Sequence, residues 1–409
     1  MYDNNLIKNK GIMSAAQTMW VIDFDSEQSL ETGIVRNQKY TGKCWIYAGI
    51  NYLRTLVGKK DNGTNLLLSA NYISYYDKFE KSKYFFEKVI ETSNLPSDDR
   101  MIEYLFKNPC PDAGQWVMFK NIIRKYGIVP QGAMPDTYSS LDTNQMNICL
   151  MSILRDGGCT IRRMIREGAS SKQINNEVNR KMKEIRKILT LCLGEPPAEF
   201  LYDWDKKYTP LLFFQKIINA DLDKSVCLIN APMSIMPLYK KYYVKNLNNM
   251  IEGERIEYVN LPIENLKEKV IQQVLDGEPV WFGCDAGKMI DKNTGMMDDN
   301  TYNVSNVLKM SCLFSKGEQL EYHQSIMNHA MLIVGIIRKN QDIVGFKVED
   351  SHGNQIGKDG YFYMSLDWFQ KYAYQIVIDK QYLSITERKI LDEESICIMP
   401  WNPIGALAN

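Results

Sequence analysis

Imidazole is scarce in this chain: 409 residues contain three histidines, His323, His329 and His352. Without an HExxH pair, a zinc centre built on them would need distant carboxylates, so no metal and no cofactor are expected. Neither sign of charge is in excess. Lys+Arg and Asp+Glu both total 49, so no global field draws the chain onto nucleic acid or an anionic bilayer, and neither is expected as a partner. No apolar run approaches the length of a membrane span. The opening Met1-Tyr2-Asp3-Asn4-Asn5-Leu6-Ile7-Lys8 has no apolar h-region, so a secretory leader is not expected. Nine cysteines stand singly, at Cys44, Cys110, Cys149, Cys159, Cys192, Cys227, Cys284, Cys312 and Cys397. An odd number without CxxC spacing argues against a disulfide framework or a zinc ribbon. That usage fits a reducing, cytoplasmic location, with most thiols expected as small buried hydrophobes.

What is present is ordinary globular material, 45% hydrophobic and 24% charged, with ample residues for a large core. From Cys44 to about Val57, Ile46, Ile50, Leu53 and Leu56 recur at spacings of three and four, which predicts a helix entered from a loop at Gly42. Asn65 to Lys88 and Trp116 to Tyr126 read likewise, the latter stopped by Gly127 and Pro130. Asn144 to Leu193 is a long helix-rich stretch with Ile174, Val178, Met182, Ile185, Leu189 and Cys192 on one apolar stripe, a core stripe rather than a binding surface. After about Ser225 the pattern changes to short β-branched or aromatic runs at Val280–Gly283, Ala330–Val334, Val344–Val348, Tyr361–Met364 and Gln375–Ile378. A helical first half and a strand-rich second half predict an α+β protein with two lobes.

The sharpest local feature is Asn37-Gln38-Lys39-Tyr40-Thr41-Gly42-Lys43-Cys44-Trp45. A thiol must become a thiolate to attack a carbonyl, and a helix N-terminus with an adjacent cation favours the anion. Cys44 would open its helix with Lys43 beside it. Gln38, six residues earlier across a turn, is placed to donate to an oxyanion. Taken singly, a cysteine is usually packing and a glutamine usually solvated; their spacing raises the joint reading.

Gln followed after three residues by Gly-x-Cys-Trp, with the Cys six positions beyond the Gln, resembles the nucleophile motif of papain-like peptidases. The version here is more similar to the bleomycin hydrolase and aminopeptidase C family. Further blocks resemble that family in order: Ala113 to Phe119 with Lys125 to Pro130, Gly277 to Asp285, Met327 to Met331, Lys347 to Gly353, and the tail Pro400 to Ala408. The likeness runs from about residue 33 to the end. It implies a papain-like two-lobed cysteine peptidase of class α+β, with a helical insertion and a C-terminal arm in the cleft. Within one peptidase unit spanning 1–409, the expected parts are a nucleophile lobe at 36–135, the insertion at 140–225, a strand-rich lobe carrying the base at 226–395, and the arm at 396–409.

The implied catalytic residues are Cys44 as nucleophile, His329 as base, Asp350 as the residue orienting that base, and Gln38 as oxyanion donor. Gly114, Asp285, Ala408 and Asn409 are the implied substrate-binding residues. The resemblance also implies peptide substrates with free N-termini and assembly as a homohexamer. In that family Asn stands where this chain has Asp350, Trp where it has His352, and Gly where it has Ala113. His352 would be a smaller and wetter cover over the His329–Asp350 bond. The segment before the nucleophile is also shorter than is usual there. The leading expectation is an aminopeptidase. Beside it stand a papain-like endopeptidase, and a catalytically impaired oligomeric homologue binding peptide or nucleic acid.

Overall fold

The structure is a computed structural model that describes residues 13–14, 16–18, 21–30, 32–60, 66–203, 206–309 and 312–409. The Met1–Lys8 reading, and residue 65 at the start of one expected helix, lie outside these residues. The chain divides into two compact units.

One unit comprises Gln38–Asp223, Tyr243–Glu257 and Cys397–Asn409. Its helices are α1 (Cys44–Lys60), α2 (Ala70–Glu91), α3 (Trp116–Tyr126), α4 (Asn144–Arg166) and α5 (Ser171–Leu193). In α1, Ile46, Ile50 and Leu53 of the expected stripe are at most 1% exposed, whereas Leu56 is half-buried and Val57 beside it takes the buried position. Helix α2 starts at Ser69, whose Oγ accepts the Tyr72 N–H at 3.1 Å, an N-cap that satisfies one orphan donor. The stretch expected from Asn144 to Leu193 is two helices of 23 residues each, α4 and α5, the second opened by a Ser170/Gln173 capping box. Ile174, Met182, Ile185 and Leu189 are buried, whereas Val178 and Cys192 lie at the half-buried edge of the stripe. Helix α4 approaches α2 closely: a Cβ at Gly157 would lie 2.8 Å from the Phe86 ring. The expected insertion therefore shares one unit with α1, as do Tyr243–Glu257 and the C-terminal arm.

The second unit is built on a mixed sheet whose central strands are antiparallel. Its strands are β1 (Ser26–Ser29), β2 (Ser225–Ile229), β3 (Val280–Cys284), β4 (His329–Lys339), β5 (Asp342–Glu349), β6 (Tyr361–Ser365) and β7 (Ala373–Asp379). They run in the order β2-β7-β3-β4-β5-β6. The five expected runs all lie in strands. Strand β4 changes neighbours along its length: His329 to Ile333 pair with β3, and Gly335 to Arg338 pair with β1. Helix α6 (Ile263–Leu275) turns Leu266, Val270 and Val274 into the same core as Phe282, Ile333 and Ile376.

All nine cysteines are free thiols, but only Cys44, Cys110, Cys227 and Cys284 are buried. The expectation that most would be buried is corrected: Cys149 and Cys159 are exposed on α4, and Cys312 and Cys397 are also exposed. Among the described residues no helix is long and apolar enough to cross a membrane.

Candidate active site

The turn that precedes Cys44 is held by hydrogen bonds within itself. Gln38 Nε2 donates to the Thr41 carbonyl at 2.5 Å, and Thr41 Oγ1 returns a bond to the Gln38 carbonyl at 2.7 Å. Lys39 between them sits in the left-handed region, φ 56°. The Lys43 carbonyl accepts from the Ile46 and Tyr47 N–H groups at 3.0 and 3.1 Å, so Cys44 is the first helical residue of α1. Its thiol thus stands at a helix N-terminus, where backbone N–H groups favour an anion. The Lys43 ammonium, expected beside the thiol, is buried and donates to the Ser140 carbonyl. Gln38 is 4% exposed, and one of its two amide N–H groups is engaged inside the turn.

Beneath this turn lies Asp112. Its carboxylate takes Lys78 Nζ at 2.6 Å, Asn147 Nδ2 at 3.1 Å, the Gly42 N–H at 3.3 Å and the Thr143 hydroxyl. Burial opposes ionisation of Asp112, but the charge and hydrogen bond of Lys78, with Thr143 and Asn147, outweigh it and hold the carboxyl well below the usual range. The Asp112 carbonyl accepts Trp45 Nε1–H at 2.8 Å. The Trp45 ring lies on Gly114, where a Cβ would sit 2.4 Å from the indole, so only glycine fits. Lys81 Nζ donates to the Pro111 and Ala113 carbonyls at 3.0 and 2.8 Å, fixing the same segment from behind.

The C-terminal arm docks on that segment. The Gly114 N–H donates to the Ala408 carbonyl at 2.9 Å, and the Ala408 N–H donates to the Gly114 carbonyl at 3.1 Å. Ala408 is fully buried. The Asn409 side chain fills the space over Gly42, where a Cβ would come within 1.7 Å of Oδ1. Tyr40, Thr41, Gly42, Ala113, Leu407 and Asn409 are among the residues lining a cavity of about 880 Å³ in this unit.

In the strand-rich unit, His329 opens β4 opposite Cys284 of β3. The turn before it is locked through Asp285, which is 3% exposed. Its carboxylate accepts Ser325 Oγ at 2.7 Å, Asn328 Nδ2 at 2.8 Å and the Gly287 N–H at 3.0 Å. Asn328 also bonds the Ala286 N–H and the Cys284 carbonyl through its own atoms. Asp285, expected to touch substrate, therefore has its carboxylate occupied by the chain that leads into His329.

Register in the β4–β5 hairpin, Leu332 against Glu349, brings the open ends of the two strands together. His329 Nε2 lies 2.7 Å from Asp350 Oδ1, both groups buried. The other oxygen, Oδ2, lies 2.7 Å from His352 Nδ1. The sequence suggests His352 as a cover; it is a hydrogen-bonding partner, placed by a bend at Ser351 that carries no signal in the sequence. Burial opposes ionisation of Asp350, but His329 and then His352 overcome it and hold the carboxyl well below its ordinary range. Among the described residues, His329, Asp350 and His352 are the set whose ligand atoms, all within 4.8 Å of one another, could hold a metal ion. Both carboxylate oxygens already face an imidazole nitrogen at hydrogen-bond distance. His323 lies apart in an exposed turn, φ 57°.

A family model described as the Peptidase C1-like family matches residues 4–405. The chain belongs to the Peptidase C1-like family. It is 35% identical to aminopeptidase C of Lactobacillus delbrueckii subsp. lactis over 99% of this chain and 93% of that protein. It is 34% identical to bleomycin hydrolase of Mus musculus over 91% of this chain and 86% of that protein. Among solved structures, PepW from Lactobacillus rhamnosis superposes with a TM-score of 0.93 at 35% identity, covering 99% of this chain and 94% of that one. The α+β papain-like class expected from the sequence is thus the class of this Peptidase C1-like chain.

Proposed function

We propose that the chain is a cysteine aminopeptidase that releases N-terminal residues from peptides, with Cys44 as nucleophile, His329 as base, Asp350 as orienting residue and Gln38 as oxyanion donor. The Cys44 thiolate forms an S–C bond to the first peptide carbonyl, and the carbonyl electron pair moves onto oxygen, where the Gln38 amide donates to it. As the oxygen pair returns, the C–N bond breaks and the His329 imidazolium gives its proton to the leaving amine. Water, deprotonated by His329, then cleaves the acyl-enzyme and restores the thiol. With Nε2 directed at Asp350, the tautomer is set so that Nδ1 is the nitrogen exchanging protons during the reaction. Similarity to aminopeptidase C and bleomycin hydrolase supports the same reading.

The observation that carries the exopeptidase reading is the arm. Ala408 takes both backbone groups of Gly114, and Asn409 covers Gly42, two residues before Cys44. A peptide extending upstream of the scissile bond would need that edge, so the arm excludes it sterically. Deleting Ala406 to Asn409 tests this. Activity on free aminoacyl substrates should fall and cleavage within N-blocked peptides should appear. A truncated enzyme that keeps its preference for free N-termini would replace this reading with the endopeptidase one. Cys44→Ala should abolish turnover and His329→Ala should lower it by orders of magnitude. The homohexameric, cytoplasmic protein implied by the family resemblance completes the proposal; light scattering and cell fractionation check those two points.

A further inference from the structure

We propose that His352 is a positioning residue for the peptidase reaction, holding the Asp350 carboxylate so that it presents one oxygen to His329; this rests on the function proposed above. A carboxylate turns easily about its last torsion, which is broad and roughly two-fold. A single bond from His329 would leave that rotation open. Here the two oxygens are held separately, Oδ1 by His329 Nε2 and Oδ2 by His352 Nδ1, each at 2.7 Å.

His352 is itself fastened through its backbone. Its carbonyl accepts Asn37 Nδ2 at 2.7 Å, and the next N–H, at Gly353, donates to the Arg36 carbonyl at 3.0 Å. Gly353 has φ +80°, and a Cβ there would lie 3.1 Å from Asn37 atoms. The His352 ring is tilted 33° to that of His329 with centroids 5.5 Å apart. Its side chain is about a third exposed, at 34%, whereas that of Asp350 is 6% exposed. Among the described residues, these two imidazoles bond the Asp350 carboxylate, and Arg36 contributes its carbonyl to the neighbouring turn.

The arrangement has an electrostatic consequence as well as a geometric one. A carboxylate that accepts from two donors places less of its charge at the disposal of either. His352 therefore tempers the pull of Asp350 on the His329 proton. An imidazolium held too firmly is a poor acid toward the leaving amine. Losing the His352 donor should then slow turnover and stabilise the imidazolium together, a pair of effects that a merely structural residue would not produce.

The test compares His352→Phe, which keeps a planar ring without the donor, with His352→Asn, whose amide nitrogen can stand where Nδ1 stood. Both are assayed on an aminoacyl-naphthylamide between pH 5 and 9.5, with melting temperatures recorded. His352→Phe should lower kcat about tenfold with KM changed less than about twofold, and move the alkaline limb of kcat/KM upward by about half a pH unit. His352→Asn should restore kcat to within about threefold of wild type and return the limb. In an Asp350→Asn background, His352→Phe should cost less than it does alone. An unchanged kcat and limb in His352→Phe overturns the proposal, as does His352→Asn being as slow as His352→Phe at an unchanged melting temperature. If His352→Phe does not fold, nitrogen NMR of ¹⁵N-histidine wild type decides: a proton on His352 Nδ1 supports the proposal, and a proton on Nε2 alone overturns it. Turnover surviving in Cys44→Ala would instead defeat the parent reading, and that control separates the two failures.

Discussion

The roles proposed for Gln38 and Asp350 can each be tested by removing one group. Gln38 donates one N–H inside its own turn, to the Thr41 carbonyl. Gln38→Ala should lower kcat about 10- to 1000-fold, as for loss of one oxyanion donor. A kcat that does not move would take Gln38 out of the reaction. Asp350 is buried, and although burial alone would raise its pKa, the His329 and His352 partners keep it ionised. Reciprocally, its charge favours the protonated form of His329. Asp350→Asn removes the charge and keeps the shape, so the alkaline limb of kcat/KM should move to lower pH. A limb that stays in place or rises would mean that Asp350 does not act on the base.

At the scale of elements, the edge that receives the arm is the segment between α2 and α3. Lys78 and Lys81 on α2 hold the carbonyls of Cys110, Pro111 and Ala113, leaving both backbone groups of Gly114 turned to Ala408. Trp45, from the first turn of α1, closes the other side of Gly114. Gly114→Ala would drive a methyl into the indole, an overpacking that typically costs about 1–3 kcal/mol. The variant should show a lower urea midpoint and, because the arm loses its seat, new cleavage of N-blocked peptides. Normal stability with unaltered selectivity would show that the edge yields without disturbing the arm.

For the molecule as a whole, acid is the informative perturbant. Asp112 is nearly buried, yet Lys78, Thr143 and Asn147 hold its pKa below the ordinary value despite the opposing effect of burial. A carboxyl whose folded pKa is depressed contributes stability that is present above its unfolded pKa and lost as pH falls toward the folded one. The window therefore opens below about pH 4, the ordinary aspartate range. Urea unfolding at pH 7, 4 and 3 should show a steeper acid loss in wild type than in Asp112→Asn, which is less stable at pH 7 to begin with. Parallel pH curves for the two proteins would assign the acid sensitivity elsewhere.

Periodicity determined a good deal by itself. Most of the stripe in α1, the limits of α3, the apolar stripe of α5 and five strands of the sheet were legible because each needs only local spacing of apolar residues and a stop such as Gly127; the break that divides Asn144–Leu193 into α4 and α5 was not. Cys44 at a helix start was legible for the same reason. Helix α6 carries the same helical period at Leu266, Val270 and Val274, but lies in a stretch read for strands. Contacts distant in sequence required the tertiary structure. Lys43 looked like a neighbour of the thiol, and its ammonium goes to Ser140, 97 residues away. Asp112, which bonds Lys78 and the Gly42 N–H, has no local signal at all. Asp350 binding two imidazoles depends on hairpin register, and the seat of the arm depends on Gly114 meeting Ala408 almost three hundred residues later. Apolar period is written along one segment, whereas the partner of a buried charge or a backbone edge is chosen by which segments the fold brings together.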